Sequence, residues 1–222
     1  MPGRKSDIQA YIKDKLKADR YRHSLGVMET ARDLAHHFGE DAEKAELAGL
    51  LHDCGKQRAP LDSLHLLEAI GYVPNEVERF DPSLLHGHVG AILARERFHI
   101  EDEAILSAIA CHTTGKAGMS RLDKIIYIAD YIEPNREGDW VPAIRALAFQ
   151  DLDRCIIRCA DSTLTYVMRK GLPIHPATVR MRNEILMATG TKEDPDRLAV
   201  SRDDVAGAGE PIHRGRENPW MS

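Results

Sequence analysis

Apolar residues recur along this chain at intervals of three and four. Leu25, Met28, Ala31, Leu34, Ala35 and Phe38 form one such stripe, closed by Gly39. That period is the mark of an amphipathic helix ending at a glycine. His23 stands just ahead of the stripe. Residues 41–53 open at the acidic cap Asp41 and put Ala45, Ala48 and Leu51 on one face, with Gly55 as the expected stop. Asp62 is placed to cap a shorter helix running to Ala69, with Gly71 beyond it. Residues 83–98 and 101–111 read as two more helices. Ser120 and Asp123 form a capping box ahead of RLDKIIYIADYIE, which Pro134 ends. A long helix from about Leu152 to Lys170 stops at Gly171, and another spans Ala177 to Met187. Alternation of period two is confined to short ambiguous runs, so the expected fold class is all-α.

The pattern stops near Gly190. The remaining stretch is charged, rich in Gly and Pro, and without periodicity. It has too little apolar surface to offset its ordering entropy, so residues 190–222 are expected to be a mobile tail on a domain of residues 1–189. No internal repeat is present.

Composition narrows the function. The chain has 222 residues, 43% of them hydrophobic and 29% charged, which is ordinary globular material with enough length for one good core. A net charge of −5 and only 5% aromatic residues argue against nucleic acid as partner, because such binding needs cationic surface and stacking platforms. A local basic pocket for a small polyanion is compatible with both figures. No segment has the apolar length of a membrane span, and the N-terminal MPGRKSDIQAYIKDKL lacks the apolar core of an export signal. Cys54, Cys111, Cys155 and Cys159 lack metal-knuckle spacing, and nothing suggests an oxidising compartment. A cytoplasmic location is expected. The oligomeric state stays open, a homodimer included.

The chemistry lies in polar groups at the edges of apolar helix faces. His52-Asp53 ends the run AELAGLL, His86 sits in SLLHGHVGAIL, and His112 follows AILSAIAC. Asp130 lies among Ile125, Ile126, Ile128, Ala129 and Ile132, where a carboxylate loses hydration with little return unless a cation or strong donors meet it. With His23, these groups would suit two metal ions bridged by one aspartate. Any one of them alone has a plainer explanation, a hydrogen-bonded boundary histidine or an ion pair. Their ordered series across several helices is what chance rarely produces.

That series, His23, His52-Asp53, His86, His112 and Asp130, resembles the metal-ligand order of the HD phosphohydrolase superfamily. The strings RYRHSLGVMETA, KAELAGLLHDCGK, LLHGHVGA, CHTTG, MSRLDKIIYIADYIEPNR and GLPIHPATVRMRNE closely resemble the YqeK family of symmetrical bis(5'-nucleosyl)-tetraphosphatases. The resemblance covers about residues 8–187. It implies an HD-domain helical bundle with a dinuclear metal centre between helices, iron favoured and manganese or zinc as alternatives. It further implies hydrolysis of diadenosine tetraphosphate to two ADP, with a small-molecule nucleotide as partner; the competing readings are an HD nucleotide phosphohydrolase of other specificity and a non-catalytic nucleotide-binding regulator. His23, His52, Asp53, His86, His112 and Asp130 become the implied ligands, and Asp53, Lys56 and His86 the implied catalytic groups. Arg20, His23, Lys56, Thr113, Thr114, Gly115, Lys116, Arg136 and the loop Gly171 to Pro176, His175 included, are implied to contact the nucleotide. His88 competes locally with His86, which is favoured because it follows the two leucines.

The cationic residues make sense without the resemblance. A polyphosphate brings negative charge towards two carboxylates, and Lys56, Lys116 and Arg136 would relieve the repulsion and grip phosphate oxygens. Cys54 and Cys111 neighbour proposed ligands but are expected to pack as small apolar residues, as are Cys155 and Cys159. Met28, Met168 and Met181 are likewise read as packing.

Overall fold

The computed structural model describes residues 5–138 and 140–190. Among the described residues eleven α-helices follow one another: α1 Lys5–Lys15, α2 Ala18–Phe38, α3 Ala42–Leu51, α4 Pro60–Ala69, α5 Glu76–Phe80, α6 His86–Phe98, α7 Glu103–Cys111, α8 Arg121–Ile132, α9 Val141–Ala148, α10 Leu152–Arg169 and α11 Pro176–Ala188. Short 3-10 turns occupy Cys54–Gln57 and Pro82–Leu85. No strand occurs among the described residues, as the pattern predicts. No helix among them is long and apolar enough to cross a membrane. The proposed tail lies outside the described residues.

Helix α8 is the axis of the bundle. It packs against α2, α3, α7 and α10, and Ile125, Ile126, Ile128 and Ala129 are wholly buried. Its start is fixed by the expected capping box: the Ser120 hydroxyl accepts from the Asp123 N–H, and the Asp123 carboxylate accepts from the Ser120 N–H. Asp41 caps α3 through the amides of Glu43 and Lys44. Gly39 ends α2 in the left-handed region at φ 66°, where a side chain would be strained.

Several expectations shift. Helix α2 begins at Ala18, well before the stripe, so Arg20 and His23 lie one turn apart inside the helix. Asp62 does not cap α4; Ala59 holds that position and Pro60 opens the helix, as proline's fixed φ allows. The expected helix 83–98 is a 3-10 turn followed by α6. Helices α1 and α9 escaped the pattern because each buries only two residues, Ile8 with Ile12 and Val141 with Ala148. Met168 is 59% exposed and does not pack in the core, whereas Met28 and Met181 do.

Gly55 proves to be more than a stop. A Cβ there would lie 2.0 Å from the His86 carbonyl oxygen and 2.8 Å from the Gly90 nitrogen. At Gly87 a Cβ would lie 2.6 Å from the Ala110 carbonyl oxygen. These two glycines let the turn after α3 press onto α6, and α6 onto α7. The close approach brings Asp53, His86 and His112 into one place.

Candidate metal centre and nucleotide cleft

The six implied ligands come from five parts of the bundle. His23 projects from α2, His52 and Asp53 follow the end of α3, His86 opens α6, His112 follows α7, and Asp130 lies on α8. All six are buried or nearly so, with Asp53 only 1% exposed. They converge. His23 Nε2 lies 3.0 Å from Asp130 Oδ1 and 3.1 Å from His52 Nε2. His86 Nε2 lies 3.0 Å from His112 Nε2.

Asp53 stands between the two groups. Its Oδ2 faces His52 at 3.5 Å and His23 at 3.9 Å. Its Oδ1 faces His86 at 3.3 Å and His112 at 3.5 Å. Oδ1 is a buried oxygen without a properly formed hydrogen bond; the Lys56 ammonium 3.2 Å away meets its charge but leaves its hydrogen-bonding capacity open to a further cation. The carboxylate is free to face the site because it makes no cap bond to the 3-10 turn behind it.

The imidazoles are held from the rear. His52, His86 and His112 each turn Nδ1 onto the carbonyl three residues earlier, Gly49, Ser83 and Ile109, at 2.7, 2.7 and 2.8 Å. A carbonyl accepts only, so each Nδ1 carries a proton and each ring turns Nε2 inward. Burial pulls the His52 pKa down, and burial with Lys56 alongside pulls His86 down to about 4. Both rings are therefore neutral near pH 7. Converging ring nitrogens together with two carboxylates are what a metal site requires. Groups of His23, His52 and Asp130, and of His52, Asp53 and His112, each have ligand atoms within 4.8 Å of one another.

His23 differs from the other three. Burial would lower its pKa, but Asp130 on Nε2 and Glu133 on Nδ1 outweigh it and hold the ring raised. Glu133 Oε1 lies 3.2 Å from His23 Nδ1. Sequence reasoning missed Glu133, although it follows Asp130 by three residues at the end of the same helix. Asp53 and Asp130 lie well below the usual carboxylate range: burial opposes this, but Lys56 and His52 around Asp53, and His23 and Arg136 around Asp130, prevail.

Three cations rim the centre. Arg20 reaches Asp53 Oδ2 at 2.9 Å, Lys56 reaches Oδ1 at 3.2 Å, and Arg136 reaches Asp130 Oδ1 at 3.0 Å. Lys116 is not with them. Its ammonium binds Asp123 at 3.1 Å and the Ser107 hydroxyl at 2.5 Å, because the buried Asp123 carboxylate sits within its reach. His88 turns away as well, 3.2 Å from the Tyr72 hydroxyl, so His86 is the histidine in the cluster. The Cys54 thiol, pushed up to about 12 by burial, contacts the Gly90 carbonyl and packs as an apolar group.

A cleft of about 910 Å³, counted out to its open mouth, runs from the cluster to the surface. His112, Thr113 and Asp130 form its inner end, Tyr127 and Tyr131 part of its wall, and Ile174 and Phe80 part of its outer portion. Thr113 Oγ1 is 3.0 Å from both His86 and His112 Nε2. Of the residues implied to contact nucleotide, Thr114 and His175 also line the cleft, whereas Arg20, His23, Lys56, Gly115, Lys116, Arg136, Gly171 and Pro176 do not. Gly115 instead turns the chain at φ 66°, where a Cβ would strike Met181 Sδ at 2.1 Å. His175 caps α11 through the Ala177 N–H. Sequence reasoning missed the cleft walls of α10, because Thr163, Leu164 and Val167 look like any helix face.

A helical core that gathers this His, His-Asp, His, His, Asp series defines an HD-domain protein, and the HD domain family matches residues 20–135. The chain belongs to that family, within the group of the bacterial symmetrical bis(5'-nucleosyl)-tetraphosphatases. The protein of that name from Bacillus subtilis (strain 168) is 40% identical over 78% of this chain and 93% of its own length. Its namesake from Halalkalibacterium halodurans is 42% identical over 79% of this chain and 94% of its own. A crystal structure from Clostridium acetobutylicum, described as an HD superfamily hydrolase involved in NAD metabolism, superposes with a TM-score of 0.80 at 42% identity. That match covers 82% of this chain and 97% of the other. By class the chain is a metal-dependent hydrolase.

Proposed function

We propose that this protein hydrolyses dinucleoside tetraphosphates, chiefly diadenosine tetraphosphate, symmetrically into two nucleoside diphosphates. The observation that carries this is the position of the cluster at the inner end of the cleft, beside Thr113 and three cationic side chains. The names of its relatives from Bacillus subtilis and Halalkalibacterium halodurans support the same reaction.

His23, His52, Asp130 and one oxygen of Asp53 would hold one metal ion; His86, His112 and the other Asp53 oxygen would hold a second. Bound there, such ions supply Lewis-acid polarisation of a phosphoryl oxygen and a water acidified towards neutrality. The donor set mixes imidazole with carboxylate and lacks thiolate, which suits iron, manganese or zinc better than magnesium; iron is our choice. Four free cysteines, all buried, fit a reducing compartment such as the cytoplasm.

The protein's own groups do the rest. The tyrosines and aliphatic residues of the cleft accommodate one nucleoside and exclude water around it. Arg20, Lys56 and Arg136 grip phosphate oxygens by charge-assisted hydrogen bonds, and the Thr113 hydroxyl adds a neutral donor. Arg136 is further held by its own Nε on the Asp130 carbonyl at 3.1 Å, which fixes its fork. Burial, together with Arg20, pulls the Lys56 pKa down against the pull of Asp53, so its ammonium gives up a proton more readily than a surface lysine. With an ADP half in the cleft, water oxygen bonds to the second phosphorus. The bond from that phosphorus to the bridging oxygen breaks, Lys56 Nζ donates a proton to the departing ADP, and the proton lost by the attacking water recharges Lys56.

Product analysis tests this. The metal-loaded protein with diadenosine tetraphosphate should release ADP as its only nucleotide. Release of AMP with ATP would refute symmetrical cleavage. Preferred turnover of another nucleotide in a substrate panel would refute the substrate.

A further inference from the structure

We infer that Glu133 is a positioning residue that makes one of the two metal positions bind its ion much more tightly than the other. The inference rests on the dinuclear reading of the cluster. Three of the four imidazoles are backed by neutral carbonyls, those of Gly49, Ser83 and Ile109. Among the four, His23 alone is backed by a carboxylate. A carboxylate behind an imidazole orients the ring and raises its basicity towards a metal more than a carbonyl does.

Glu133 is built for that place. It is 2% exposed, and its second oxygen, Oε2, is held by the Asn135 N–H at 2.7 Å and the Asn135 side-chain amide at 2.8 Å. Those bonds aim Oε1 at His23. Opposite lies Gly26, one turn beyond His23 on α2, where a Cβ would fall 2.4 Å from Oε2. Any side chain at that position would displace the carboxylate. Arg145 secures the backbone around it, donating to the carbonyls of Ile132 at 2.8 Å and Glu133 at 2.6 Å.

The two positions therefore differ in charge. The first gathers His23 and His52 with Asp130 and one Asp53 oxygen, and has Glu133 behind it. The second has His86, His112 and the other Asp53 oxygen, with the Lys56 ammonium 3.2 Å from that oxygen. Arg136 and Arg20 offset part of the charge at the first, 3.0 Å from Asp130 Oδ1 and 2.9 Å from Asp53 Oδ2. Its three carboxylates, Asp130, Glu133 and the shared Asp53, still leave it the richer in negative charge and in donors, so it fills first and holds its ion longer; the second is the exchangeable one.

Manganese(II) alone is the probe, titrated into the full-length protein against a competing chelator, with electron paramagnetic resonance to separate single from coupled ions. The wild type should bind two ions with separate affinities. Glu133→Gln should weaken the tight class by about 10–100-fold and leave the weak class unchanged. Gly26→Ala, which removes no polar group and favours the helix, should weaken the same class by displacing Glu133. An unchanged tight class in both variants, or a loss confined to the weak class, would overturn the inference. A wild type that binds fewer than two ions would instead overturn the dinuclear reading and the inference with it. Equal affinity at two sites in the wild type would overturn the inference alone.

Discussion

The Nε2 atoms of His86 and His112 face each other at 3.0 Å, with both Nδ1 atoms turned onto backbone carbonyls. Two rings so fixed turn Nε2 onto Nε2, and Asp53 Oδ1 adds a third acceptor at 3.3 and 3.5 Å. A cation converts that crowding into ligation. Manganese(II) at about 1,000 times its dissociation constant should therefore stabilise the protein by roughly 4 kcal/mol, a rise in Tm of about 10 °C for a chain of this length. Calorimetry with metal and with chelator checks this; identical melting in both would contradict the site.

Asp53 touches both halves of the cluster, so its loss should affect both. Asp53→Ala should retain the far-ultraviolet circular dichroism of the wild type, bind metal poorly, and lose about 1,000-fold or more in kcat, roughly 4 kcal/mol of barrier. Near-normal turnover by the metal-depleted variant would remove Asp53 from its role.

Lys116 and Arg136 should separate. Lys116 is 41% exposed on its side chain and pairs with Asp123, so Lys116→Ala should cost stability, about 1 kcal/mol or less after solvent screening. Its kcat/KM should stay within about threefold of wild type. Arg136→Ala removes a charged phosphate donor and should lower kcat/KM by roughly 1.5–3 kcal/mol, or about 10–150-fold. Steady-state kinetics on both variants decides; a larger kinetic loss in Lys116→Ala would return that lysine to the substrate.

Gly55→Ala places a methyl 2.0 Å from the His86 carbonyl oxygen, which is backbone and cannot swing aside. Overpacking of this kind should cost about 1–3 kcal/mol, measurable by urea unfolding, and should weaken metal binding by parting Asp53 from His86. Wild-type stability and metal affinity together would show that the backbone gives way freely.

Glu78 supplies a pH test away from the metal. Its burial would raise the carboxyl, but His175, the Asn75 N–H and the Tyr72 hydroxyl hold it below the ordinary 4.5. A carboxyl lowered on folding stabilises the native state above its unfolded pKa, and that contribution is lost as pH falls through the folded value. The stability advantage of wild type over Glu78→Gln should thus be full at neutral pH and shrink below about pH 4. Urea unfolding at both pH values, with chelator present, measures it. An advantage that grows on acidification would reverse the sign and refute the assignment.

The sequence by itself determined the helical class, because burial of one face leaves a period of three and four that can be counted in stripes such as Leu25 to Phe38. It also carried the order His23, His52-Asp53, His86, His112, Asp130 through its resemblance to a family. Caps at Asp41 and Ser120 were legible since they act within three residues of themselves. Helices α1 and α9 were not, because two buried residues make no stripe.

Tertiary structure alone decided which oxygen of Asp53 faces which histidine, that Glu133 stands behind His23, and that Lys116 turns to Asp123. It also decided that Gly55 serves contact with α6 and that α10 walls a cleft. These depend on separations of a few ångströms between residues tens of positions apart. A one-dimensional period reports which side of a helix is buried; it carries no information about what lies against that side.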